Sequence, residues 1–73
     1  MSKDDEVLQI IKELAKGKGN KLSVPSVYRA VVQKGIYTSE KHIKYALKRL
    51  EIRGKIKTGG MNQLELLIED DGN

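Results

Sequence analysis

The apolar residues of this chain keep a helical spacing three times over and then change period, and few folds of this size accept that order. Val7, Ile10, Ile11 and Leu14 fall at i, i+3, i+4 and i+7; so do Val24, Val27, Tyr28 and Val31, and again Ile43, Ala46, Leu47 and Leu50. Each set is one apolar stripe, enough to anchor an amphipathic helix to a core. After Gly54 the period falls to two: Ile56 stands between Lys55 and Lys57, and Leu64, Leu66 and Ile68 alternate with Glu65 and Leu67. That alternation belongs to half-buried strands. The tetrapeptide Gly59-Gly60-Met61-Asn62 between them can reverse the chain, so a two-stranded antiparallel hairpin is expected.

Local signals mark the ends. Asp4, Asp5 and Glu6 suit the positive end of a first helix over residues 4–16, with Gly17 as its stop. Ser23 caps the second helix and Pro25 lies in its first turn, where a missing N–H costs nothing; Gly35 closes it. Thr38 or Ser39 caps the third, which runs over residues 39–53 to Gly54. Ile36 is expected to pack beneath the short connection or to make a single strand-like contact there. The expected fold class is α+β: three helices followed by a hairpin, in a single domain over residues 1–73, with an ordered core over about 5–68 and an acidic, frayed tail over 69–73.

With 73 residues and no cysteine, the chain has no disulfide or thiolate metal site to staple it, so burial must hold it together. It has no Phe or Trp, and its core is left to Val, Leu, Ile and three tyrosines. One histidine, His42, has no carboxylate cluster around it, and partial burial at a helix edge is its expected state. No nucleophile and base are placed together, and Gly17-Lys18-Gly19-Asn20-Lys21 lacks the spacing of a phosphate-binding loop. Neither an enzyme nor a cofactor, metal or small-molecule site is expected. No apolar run has the length of a signal peptide core or a membrane span, so the expected setting is soluble and cytoplasmic.

The net charge is +4, but it is distributed unevenly: −2 over residues 1–13, +4 over 14–40, +6 over 41–57 and −4 over 58–73. A basic centre on a small domain points to a polyanion. On the third helix Lys41, Tyr45 and Lys48 point away from the apolar stripe, with Lys44 and Arg49 on its flanks. A helix of this kind fits the DNA major groove when one face is buried and the other offers donors. Ser39 and Glu40 stand at its N-terminal turn. Lys55 and Lys57 extend the basic surface onto the hairpin, whose tip residues Gly60, Met61 and Asn62 can approach a phosphate or a minor groove. Ser26 and Arg29 lie on the exposed side of the second helix, where phosphate contact is expected.

The segment "SVPSVYRAVVQKGIYTSEKHIKYALKRLEIRGKIK", with the glycine-rich hairpin after it, resembles a winged helix-turn-helix DNA-binding domain. It is similar both to small archaeal and bacterial transcriptional regulators and to the linker-histone globular domain. The resemblance implies that residues 39–53 are the recognition helix and 55–69 the wing, with double-stranded DNA as partner. It implies a regulator or an architectural protein, associated with the nucleoid. The chain lacks the long dimerisation helix and the sensor domain of larger regulators. The same fold also serves as a protein–protein module of transcription or replication assemblies, and Leu8 and Leu67, off the main stripes, then become contacts with a protein partner or in a homodimer.

Overall fold

A computed structural model describes residues 2–60 and 62–67. The order is α1 (Lys3–Ala15), β1 (Lys21–Ser23), α2 (Val24–Gln33), α3 (Glu40–Ile52), β2 (Ile56–Gly59) and β3 (Gln63–Leu66). The class is α+β, as the change of period requires. Expectations for Met61, Ile68 and the tail 69–73 fall outside the described residues.

The sheet departs from the two-stranded expectation. It has three antiparallel strands in the order β1-β3-β2. The hairpin pairs Ile56 with Leu66 and Thr58 with Leu64, and β1 adds Leu22 opposite Leu64 on the far edge of β3. β1 is three residues long with one buried residue, Leu22, which is too little to register as a periodic signal. It enters from Asn20, which holds a positive φ of 66°.

Helix ends follow from named contacts. Ser2 caps α1, its hydroxyl accepting from the Asp5 N–H at 3.2 Å. α2 and α3 both close in a left-handed glycine. Gly35 (φ 72°) precedes Ile36, whose N–H donates to Val31 O; Gly54 (φ 78°) precedes Lys55, whose N–H donates to Leu50 O. Each is a Schellman closure that satisfies carbonyls a helix end would leave free. Ile36, carried by the first of these, packs against the core, the first of its two expected roles.

The core unites all three helix stripes with the sheet. Val7, Ile11, Val27, Val31, Ile43, Leu50, Ile56 and Leu64 have almost no accessible surface. No polar or charged residue is buried among the described residues. Each fully buried side chain contributes about 1.5 to 3 kcal/mol of transfer free energy. α1 buries Leu8 and Ala15 beside its expected stripe, of which Leu14 is only partly buried, because it touches α2, α3, β1 and β3 rather than one neighbour. Leu8 is therefore a core residue and not a surface contact, which corrects its expected part in a homodimer or partner interface. Leu67, 49% exposed, remains on the surface.

Candidate nucleic-acid interface

α3 buries Ile43, Ala46, Leu47 and Leu50, so the 100° step of the helix fixes where every other side chain points. Lys41, Tyr45, Lys48 and Ile52 form the ridge directly opposite the core. Lys44 and Glu51 turn toward α2 and the hairpin, whereas His42, Arg49 and Arg53 turn toward α1. Lys41, Lys44, Tyr45 and Lys48 are all exposed. The Lys41 ammonium lies 6.0 Å from the Tyr45 ring centroid, a cation–π distance that steadies the tyrosine on the ridge.

Between α3, the start of α2 and the hairpin lies an open groove of about 420 Å³. Tyr28, Lys44, Lys48, Thr58 and Asn62 line it, with Glu51 as its one acid among the described lining residues. That acid is occupied. The Thr58 hydroxyl lies 3.1 Å from both Glu51 carboxylate oxygens, donating to one at a time. The Thr58 N–H donates to Oε2 at 3.5 Å. The same contacts hold the hairpin against α3. On the other side, Val24 N–H donates to Asn62 O at 2.7 Å, tying the hairpin to the start of α2. Asn62 takes a positive φ of 63°, as a turn asparagine does. Burial, with Glu40 nearby as a smaller cause, pushes the Tyr28 hydroxyl above its ordinary pKa, so it remains a neutral donor at the groove wall.

The remaining expected site residues divide. Lys57 pairs in register with Glu65, and Glu65 with Lys21, which places all three on the outer face of the sheet. That face forms a second groove, about 540 Å³, also lined by Lys18, Ser23 and Ser26. Lys57 and Ser26 therefore lie across the hairpin from Lys44 and Lys48, and Gly59 and Gln63 touch both grooves. Ser26 spends its hydroxyl proton locally, donating to Ser23 O at 2.7 Å while accepting from Ser23 Oγ at 2.9 Å. Arg29 is exposed on α2, Lys55 half-buried, Gly60 exposed at the turn, Ser39 the half-buried N-cap of α3 and Glu40 exposed beside it.

Arg49 has an internal partner. Its Nε and Nη2 donate to the two carboxylate oxygens of Asp4 at 2.7 and 3.0 Å, and Tyr37 Oη donates to the same carboxylate at 3.2 Å. The Arg49 bond, opposed by partial burial and assisted by Tyr37, holds the Asp4 carboxyl below the usual carboxylate range. Lys3 lies 5.3 Å from the Tyr37 ring centroid. His42, expected at a half-buried edge, is exposed, its ring 6.3 Å from that of Tyr37. The α1 side of α3 is thus a fastening, and the hairpin side is the open one.

Tyr28, Thr58, Gln63, Lys18 and Lys21 line these grooves without having been singled out in the sequence. Neither Lys21, in a strand of three residues, nor Thr58 has a local signal in the sequence; only the fold places them. No helix among the described residues is long and apolar enough to cross a membrane. Comparison with family models, with curated proteins and with solved structures finds no match.

Proposed function

We propose that the protein is a winged-helix domain that binds double-stranded DNA, as a small transcriptional regulator or an architectural protein of the nucleoid. α3 enters the major groove, and the β2–β3 hairpin follows the neighbouring backbone as the wing. One observation carries the reading: the exposed ridge of α3 adjoins a groove walled by Lys44 and Lys48, and the one acid among its described lining residues, Glu51, is tied to Thr58. A phosphate in that groove meets the two ammonium groups and the Tyr28 hydroxyl, which outweigh the one charge of Glu51. The three-helix and three-strand arrangement is compatible with a small winged-helix fold.

The test is a salt titration of binding to a fluorescent duplex of random sequence. Four to eight neutralised phosphates give a log–log slope of about −4 to −7. Charge reversal in a Lys44→Glu, Lys48→Glu variant abolishes binding near physiological salt. Arg49→Ala leaves the slope almost unchanged, since Asp4 already holds that guanidinium. A wild-type protein that ignores the duplex even at low salt refutes the reading.

A further inference from the structure

Ile52 is 77% exposed, more than any other large apolar residue described. Helix propensity does not explain it, because isoleucine is a poorer helix former than the lysines and glutamates that commonly fill exposed positions. Nor does the scaffold use it: the hydrogen bonds that close α3 run through Arg53, Gly54 and Lys55, and the Ile52 side chain lies outside the core cluster.

Its bearing is informative. Positions 41, 45, 48 and 52 follow one another at four, three and four residues, a single ridge at the point of α3 farthest from the core. The ridge alternates in character: Lys41, Tyr45, Lys48, Ile52. Tyr45 is 47% exposed. Lys48 lies one turn before Ile52 on this ridge and Arg53 follows it in the chain, so the exposed apolar side chain stands on a predominantly basic helix surface. A protein-binding patch has the opposite composition, with charge and above all lysine depleted at its centre. The partner must be polyanionic and still present an apolar group within reach. The major groove of DNA does so in one place, the 5-methyl group of thymine.

Resting on the DNA-binding reading above, we infer that Ile52 and Tyr45 are specificity residues that each seat against a thymine methyl, so that α3 prefers A·T pairs at two separated positions. Seven residues of helix separate them, about 10 Å at 1.5 Å per residue. This corresponds to about three base-pair steps at 3.4 Å. The lysines between and beside them reach phosphates, which supply affinity without sequence preference. The apolar pair supplies the preference.

The experiment compares two alternating A·T duplexes, identical except that one carries uracil in place of every thymine, in a fluorescence-anisotropy titration at fixed salt. Losing one buried methyl weakens binding roughly fourfold, and losing two about fifteenfold. The wild-type protein should therefore prefer the thymine duplex by about that factor. Ile52→Ser and Tyr45→Ser should each reduce the ratio several-fold, and the double variant should bring it close to one. Equal binding of the two duplexes by the wild-type protein overturns the inference while leaving DNA binding intact. A thymine preference that survives in the double variant also overturns it, since the preference then arises from duplex shape. Binding to neither duplex removes the inference together with the reading beneath it.

Discussion

Two residues near the end of α3, Leu50 and Ile52, test the packing argument as a pair. Leu50 has no accessible surface and belongs to the cluster that joins α3 to the rest of the core. Leu50→Ala removes buried methyl groups and leaves a cavity that neighbouring helices cannot fully close, a cost of about 3 to 5 kcal/mol. A chain of 73 residues has about 4 to 11 kcal/mol in total, so this single change removes a large part of the fold's stability. Ile52→Ala, two positions on in the same helix, removes a side chain that is 77% exposed and should shift stability by less than about 0.5 kcal/mol. Ile43→Val offers a milder version within the core, at about 0.5 to 1.5 kcal/mol. The assay is urea unfolding followed by far-UV circular dichroism, because the chain has no tryptophan to report tertiary structure. With a urea dependence of about 1 kcal/mol per molar, Leu50→Ala lowers the midpoint by about 3 M or leaves the protein unfolded in buffer. A shift under about 1 M for Leu50→Ala, or one as large for Ile52→Ala, would show that the assignment of faces on α3 is wrong.

The Asp4 contact makes a pH prediction of definite sign. Its folded pKa lies below the ordinary value of 3.8, so its contribution is present above that value and is lost as pH falls through the lowered one. Wild type should exceed Asp4→Asn in urea midpoint at pH 6, and the gap should narrow at pH 3; an unchanged gap would remove the carboxylate from the account. For the hairpin, Thr58→Val deletes the hydroxyl bonded to Glu51 and loosens the hairpin from the lysine-bearing face of α3. The variant should bind duplex DNA several-fold more weakly with little change in thermal midpoint, and a large fall in midpoint with unaltered affinity would make Thr58 purely structural.

How much could be read in advance depended on the separation of the residues involved. The stripe Ile43, Ala46, Leu47 and Leu50 was legible because all four positions lie within eight residues, and a helix's own geometry aligns them. The glycine closures at Gly35 and Gly54 were legible for the same reason. The outward bearing of Lys41, Tyr45 and Lys48 followed directly from the stripe. The pairing of Arg49 with Asp4 was not, for its partners are 45 positions apart and nothing local distinguishes this arginine from a free one. β1 escaped notice because a three-residue strand has no period to detect. Leu8 was misplaced because the width of a helix's buried face depends on how many neighbours it acquires. The division of the basic residues into two grooves likewise required the register of the sheet, which places Lys57 and Lys44 on opposite sides of the hairpin.

That register has a consequence for how the protein is made. β3 is the central strand, flanked by β2 on one edge and by β1 on the other. Lys21, Leu22 and Ser23 lie in register with Glu65, Leu64 and Gln63, while the Lys21 N–H donates to Lys18 O in the preceding turn. During synthesis β1 leaves the ribosome long before β3 does, and until then Leu22 has no strand to pair with. The three helices can form and collide early, since all of them precede β3 in the chain, but the sheet cannot begin to close around Leu22 until β3 has emerged. A pulse of deuterium on stalled nascent chains would find the Leu22 amide unprotected at every length that ends before residue 63.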